Sequence, residues 1–121
     1  MDLVLSLHGR IAFALVLYYT FVGLWAIAAG IRDRGPNAAL RGAIAIATIA
    51  AVLQGVLGLL VLVFRGAPAD TVHILYGLAL AVAMPLAATL VRDRTPRGQS
   101  VALGLAALFT AGLAIRGITT A

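Results

Sequence analysis

Two histidines are the side chains of this sequence best suited to chemistry. His8 and His73 are the only imidazoles in the chain. His8 lies about one helical turn into the apolar segment that starts at Leu3, and His73 lies about one turn after Asp70. Because ionisable groups inside a bilayer are costly, residues of this kind are candidates for function. In two parallel helices these histidines would reach a similar depth.

The ligand set available to these histidines selects among metals. A closed zinc site needs four ligands, and the chain contains no cysteine, no glutamate and no aspartate within its apolar runs. A haem iron needs only two axial ligands from the protein, because the porphyrin supplies the other four donors. If the two imidazoles share a metal, the sequence therefore favours a haem b ligated by His8 and His73.

Residues near the histidines could support such a group. Ala12 and Gly77 each follow a histidine by one turn on the same helix face and would leave space for a flat macrocycle. Haem also carries two propionates, which need cations. The predicted propionate partners are Arg10, Arg65 and Arg116.

A simpler interpretation of the same residues stays open. Each histidine could be an interfacial polar residue bonded to a headgroup, to water or to a carbonyl. The three arginines could snorkel to the interface, or pair with Asp2 and Asp70.

Three further polar residues lie inside the apolar runs. Gln54 could bond across a bundle to a histidine, to a haem edge or to a quinone, and a purely structural role is an equal alternative. Tyr18 and Tyr19 lie near the middle of their run, so we expect their hydroxyls to find partners inside a bundle.

The elements that position these residues follow from composition. Hydrophobic residues make up 63% of the 121 residues and charged residues 11%, against about 25% charged in soluble domains. Four runs of 18 to 23 residues carry no charged side chain, and a bilayer core needs roughly 17 to 25 residues of helix. We predict an all-α, integral membrane, up-down four-helix bundle that forms one domain over residues 1–121. Its helices are expected at about 3–31, 39–64, 70–92 and 98–118.

Turn and packing signals agree with that division. Asn37, Asp70 and Thr95 are predicted helix N-caps. The second run carries small residues at every fourth position, a pattern that lets another helix backbone approach closely. These residues are Ala43, Ala47, Ala51 and Gly55.

The basic residues predict an orientation. All nine are arginines, and six of them lie in the two connections that follow the first and third runs. The positive-inside rule places those connections in the cytoplasm, so both termini and the 65–70 loop face outward, in a bacterial inner membrane by expectation. The net charge of +5 would suggest nucleic acid on a soluble domain, but here we expect lipid and no nucleic-acid partner.

Two sequence segments resemble the haem A synthase family. Residues 54–62, Gln-Gly-Val-Leu-Gly-Leu-Leu-Val-Leu, precede Val-His-Ile-Leu-Tyr-Gly-Leu-Ala at 72–79, similar to a helix pair in which the second helix opens with a haem-ligating histidine. His8-Gly9-Arg10 resembles that family's earlier His-Arg ligand helix with one residue inserted. The resemblance covers most of one four-helix half of a duplicated eight-helix family. It implies a haem b between His8 and His73 on the outward side.

The sequence departs from that family at two places. Leu5 stands where the catalytic half of the family has a glutamate, and the family's outward cysteine pair is missing. The resemblance therefore implies haem binding and does not extend to haem A synthesis by this chain alone.

Two functions are expected from these residues. The first is a small membrane cytochrome b that transfers electrons or serves as a subunit of a membrane redox complex, more an electron carrier than a stand-alone enzyme. Its partners would be another redox subunit, a quinone or a second copy of the chain. The alternative is a cofactor-free accessory subunit of a larger respiratory or photosynthetic complex. A proton-coupled transporter is the least favoured class, because all four aspartates lie in loops or at a terminus.

Overall fold

Four helices account for nearly all of the chain. The computed structural model describes residues 1–68 and 70–121. It contains α1 (Asp2–Ile31), α2 (Ala38–Arg65), α3 (Val72–Leu90) and α4 (Pro96–Thr120), and each is long and apolar enough to span a membrane. The described residues form no strand. The predicted all-α membrane bundle is confirmed, and every helix end lies within two residues of its predicted position.

Side-chain caps explain where two of the helices begin. The Asn37 side chain accepts a hydrogen bond from the Leu40 N–H at 2.8 Å, and the Thr95 hydroxyl accepts one from the Gly98 N–H at 3.1 Å. Both predicted caps are confirmed. α3 begins at Val72, and Thr71 at its N-cap position has helical backbone angles and no side-chain cap bond. The Asp70 carboxylate accepts from the Val72 N–H at 3.0 Å, so Asp70 makes the predicted capping bond from one residue before the N-cap position of α3.

The helices alternate in direction and form a closed ring of contacts. α1 and α3 each pack against both α2 and α4, so α1 and α3 lie diagonally across the bundle. The connections 32–37 and 91–95 lie at the same end, where the hydroxyl of Ser100, near the start of α4, donates to the Arg34 carbonyl at 2.6 Å. We call this end of the bundle the arginine-loop end. His8 and His73 lie at the opposite end, which we call the histidine end.

The most extensive contact is between α1 and α4. Gly23 and Gly104 face each other, and a Cβ atom at Gly104 would lie 2.9 Å from the Gly23 carbonyl oxygen. At Gly30 a Cβ atom would lie 2.5 Å from a methyl of Val101. These glycines let the two backbones touch near the middle and the arginine-loop end.

The contact between α1 and α2 is partly polar. The Tyr18 hydroxyl donates to the Ala43 carbonyl at 2.9 Å, and the buried Tyr19 hydroxyl donates to the Ala47 carbonyl at 3.1 Å. The expectation that both tyrosines find partners inside the bundle is confirmed. The predicted small-residue ridge holds for Ala47 and Ala51, which are buried. Gly55 is exposed, with no atom within 4 Å of a Cβ built there, so the ridge meets no helix of this bundle at that position.

Candidate functional site

The imidazole rings of His8 and His73 lie next to each other in the bundle interior. Their centroids are 6.0 Å apart and their planes are inclined by 75°. Both rings are half-buried. The diagonal placement of α1 and α3 allows this approach, because side chains of diagonal helices point toward a common axis.

Helical spacing explains why both histidines face inward. On α1, His8 is followed at intervals of seven and four residues by Leu15 and Tyr19, which are buried. On α3, His73 is followed at the same intervals by Leu80 and Met84, which are also buried. Seven- and eleven-residue spacings keep side chains on one helix face. Each buried stripe therefore ends in a histidine at the same end of the bundle.

The other two helices complete a polar layer around these rings. α2 contributes Gln54 and Gly58, and α4 contributes the carbonyl of Gly117 and the hydroxyl of Thr120. We call this set the histidine layer: His8, Gln54, Gly58, His73, Gly117 and Thr120.

The His73 ring is oriented by α4. Its Nδ1 atom lies 2.7 Å from the Gly117 carbonyl oxygen. Because a carbonyl oxygen can only accept, Nδ1 carries the proton and donates it, which leaves the Nε2 lone pair available in the neutral ring. The Thr120 hydroxyl lies 3.4 Å from the same Nδ1 atom, but it donates to the Arg116 carbonyl at the shorter distance of 2.8 Å. The Gly117 carbonyl is therefore the stronger partner of Nδ1.

The His8 ring packs closely against α2. A Cβ atom built at Gly58 would lie 3.0 Å from the His8 Cε1 atom, so the missing side chain at Gly58 creates the space that the ring fills. The Nδ1 atom of His8 is buried and has no hydrogen-bond partner among the residues that the structure describes. A buried imidazole nitrogen without a partner is costly in a purely structural role. It is also free to act as a ligand.

Gln54 connects α2 to the backbone of α1 at the histidine itself. Its Nε2 atom donates to the His8 carbonyl at 2.8 Å. The Gln54 Oε1 atom is buried and, within residues 1–68 and 70–121, has no partner. The expected bond across the bundle is therefore present, but it reaches the backbone of the histidine and leaves the amide oxygen unsatisfied.

The three predicted propionate partners surround the histidine end and are all exposed. Arg65 forms an ion pair with Asp2, which is the simpler role that the sequence also allowed. The guanidinium of Arg116 lies 5.6 Å from the centre of the Tyr76 ring and donates to the Tyr76 hydroxyl at 3.5 Å. Arg10 has no ion pair or side-chain hydrogen bond within the described part of the chain. Neither Arg10 nor Arg116 forms an ion pair there, although the Asp70 carboxylate is near enough to Arg116 to interact with it electrostatically.

The two small residues predicted to make room differ in their surroundings. Ala12 is half-buried one turn after His8. Gly77 is exposed one turn after His73, and a Cβ atom built there would have no neighbour within 4 Å. The space beside His73 therefore opens toward the outside of the bundle.

The donor set at the histidine layer limits the metals it suits. No group of three or more histidine, cysteine, aspartate or glutamate side chains that could hold a metal ion occurs in the described ranges. Two imidazoles alone suit a metal whose remaining ligands come with it.

Sequence reasoning missed three members of the histidine layer. Gly58 follows Gln54 by one turn, and that spacing could have identified it. Gly117 acts through its backbone carbonyl, which leaves no signal in the residue type, and Thr120 depends on how α4 packs.

Comparison with known protein families, curated proteins and solved structures finds no match to this chain.

Proposed function

We propose that this protein is a small membrane cytochrome in which His8 and His73 hold one haem b. The observation that carries the proposal is the meeting of the chain's only two imidazoles inside the bundle, at a centroid separation of 6.0 Å. We propose electron transfer, alone or as a subunit of a membrane redox complex, as its role.

The separation of the two rings suits one metal between them. Their centroids lie 6.0 Å apart, so both rings could contribute a nitrogen ligand to the same group. A haem b held there would take one imidazole from α1 and one from α3.

The hydrogen bonds of the histidine layer support ligation. Metal-binding histidines commonly donate their second ring N–H to a carbonyl, which fixes the tautomer and the ring orientation. The His73 Nδ1 atom has this partner in the Gly117 carbonyl. The Nδ1 atom of His8 is buried and has no hydrogen-bond partner among the described residues. If Nδ1 carries a lone pair, binding to a metal would give that lone pair a partner.

The surrounding residues would then have distinct tasks. Gln54 ties α2 to the His8 backbone, and Gly58 gives the His8 ring its space. Arg10 and Arg116 are the proposed propionate partners, while Arg65 would first have to release Asp2. We propose that Ala12 and Gly77 leave room for the edges of the macrocycle.

When bound, haem supplies reversible one-electron transfer. If His8 and His73 both bind the haem, the protein would offer one-electron transfer there and not a site for a further ligand. What the chain itself does is hold the two rings in register and keep the site between four apolar helices. The proposed partners are a second redox subunit, a quinone or another copy of this chain. We further propose that the histidine end, with both termini and the 65–70 loop, faces outward from a bacterial inner membrane.

A specific observation favours a second candidate, the cofactor-free accessory subunit. Within α3 only Leu80 and Met84 are buried hydrophobic residues, and most of its other large apolar side chains are exposed. A larger membrane complex could cover this exposed face of α3 in place of lipid.

An absorption spectrum separates the two candidates. The full chain, expressed in haem-replete cells and purified in detergent, should show a sharp Soret band and an α band on reduction. A pyridine haemochrome assay should identify haem b at about one equivalent per chain. Protein with no visible absorption, in cells where a control cytochrome is loaded, would overturn the haem proposal and leave the accessory-subunit candidate.

A further inference from the structure

A cavity of about 330 Å³ opens at the arginine-loop end, far from the histidine layer. It lies between the last turns of α1, the connection 32–37 and the first turn of α2. Its lining includes Trp25, Ala28, Ala29, Arg32, Arg34 and Leu40. No residue of the proposed haem site lines this cavity, so a ligand bound here is independent of the proposed function.

The backbone of the connection is fixed on two sides, so the cavity is preformed. The Arg34 N–H donates to the Ala29 carbonyl at 2.8 Å, which folds the connection back onto α1. The Arg34 carbonyl accepts from the fully buried Ser100 hydroxyl at 2.6 Å, which ties it to α4. A Cβ atom at Gly35 would lie 2.9 Å from Pro96, so the connection also packs directly against α4.

The lining combines two kinds of surface. Arg32 and Arg34 both line the cavity, and neither side chain has an ion pair or hydrogen bond among the residues described. Asp33, between them in sequence, does not line the cavity. The remaining wall is apolar, formed by Ala28, Leu40 and the half-buried Trp25.

These surfaces match an amphipathic anion. Guanidinium groups bind phosphate through paired, charge-assisted hydrogen bonds. The apolar wall beside them suits an acyl chain, and tryptophan is common at the level of lipid headgroups. Basic pockets between transmembrane helices are known to bind anionic headgroups. A free phosphate ion would use only the arginine part of the lining.

We propose that this cavity is a binding site for an anionic phospholipid, with its phosphate on Arg32 and Arg34 and its acyl chain along Ala28, Leu40 and Trp25. Trp25 is the only tryptophan of the chain, so it reports directly on the cavity.

The test uses the full chain in phosphatidylcholine bilayers that contain a small fraction of lipid with brominated acyl chains. Brominated phosphatidylglycerol should quench Trp25 fluorescence at least twice as strongly as brominated phosphatidylcholine at the same fraction. The double variant Arg32→Gln/Arg34→Gln should lose this preference, and Arg32→Lys/Arg34→Lys should keep part of it because the charge remains. The matched control Arg92→Gln/Arg94→Gln removes two arginines from the other connection at the same end and should quench like the original protein.

Three results would overturn the proposal. The first is equal quenching by the two brominated lipids in the unaltered protein. The second is an equal loss of preference in the control variant, which would indicate only the general surface charge. The third is a preference for brominated phosphatidylglycerol that Arg32→Gln/Arg34→Gln retains in full, which would show that these arginines do not hold the phosphate. Circular dichroism of each variant checks that the bundle is intact.

Discussion

The Nδ1 atom of His73 lies 2.7 Å from the Gly117 carbonyl oxygen, so α4 sets the orientation of an imidazole that α3 carries. This bond fixes which ring nitrogen faces the centre of the histidine layer. The other ring, on α1, is positioned by the space at Gly58 on α2. All four helices thus cooperate in placing two side chains.

The first prediction concerns the tautomer of His73. Since the Gly117 carbonyl accepts a proton from Nδ1, the neutral ring should be protonated at Nδ1 and bare at Nε2. Nitrogen-15 NMR of haem-free protein labelled at histidine should show this tautomer, with His8→Ala used to assign the signal. An Nε2-protonated His73 would contradict the hydrogen bond and remove its support for ligation.

The second prediction compares two glycines of α2. Gly58→Ala places a Cβ atom 3.0 Å from the His8 ring, so the ring must shift, and haem affinity should fall roughly 10- to 100-fold, as when a ligand loses its orienting contacts. Gly55→Ala is the matched control, because its Cβ atom would have no neighbour within 4 Å. Haem titration of both variants provides the measurement. Equal affinities in the two would show that the His8 position does not matter to binding.

The third prediction concerns Gln54. In Gln54→Leu the bond to the His8 carbonyl is lost, which costs about 0.6 to 2 kcal/mol in a membrane protein. The same change removes a buried oxygen without a described partner, whose desolvation costs about 1 to 3 kcal/mol. The free energy of unfolding of haem-free protein should therefore change by less than about 1 kcal/mol, as these terms oppose each other.

Reversible unfolding in mixed detergent micelles measures this difference. Thr48→Val serves as a control, because the Thr48 hydroxyl bonds only to the Ile44 carbonyl of its own helix. A loss above about 3 kcal/mol in Gln54→Leu alone would mean that the amide makes more than the single hydrogen bond described.

The fourth prediction tests the contact between α1 and α4. In Gly104→Ala the new methyl would lie 2.9 Å from both the Gly23 carbonyl oxygen and the Ile27 backbone nitrogen, and neither atom can move without the helix. Overpacking of this kind costs about 1 to 3 kcal/mol. Gly112→Ala on the same helix meets no atom within 4 Å and should be neutral or slightly stabilising. Unfolding in the same micelles measures the stability of both variants. Equal stability of the two would contradict the contact between α1 and α4.

The helices and the proximity of the two histidines can be predicted from the sequence. Apolar runs bounded by Asn37 and Thr95 define helices because lipid leaves backbone groups no other partners. Antiparallel connections then put His8 and His73 at one end, and their spacing from Leu15 and Leu80 turns them inward.

Other features depend on how the helices meet, which a single sequence does not encode locally. Small residues at every fourth position predict a close contact for α2, whereas the most extensive contact joins α1 and α4 through Gly23, Gly30 and Gly104. The pairing of Arg65 with Asp2 was one of two alternatives, and only the packed helix ends select it.

The central claim is that one haem is held between His8 and His73, and a haemin titration of purified, haem-free protein tests it most directly. The unaltered protein should give a low-spin Soret spectrum that saturates at one equivalent, while His8→Ala and His73→Ala should each lose the low-spin spectrum and bind far more weakly. An unaltered protein that shows no saturable spectral change, or either variant with the spectrum and end point of the unaltered protein, would contradict the claim.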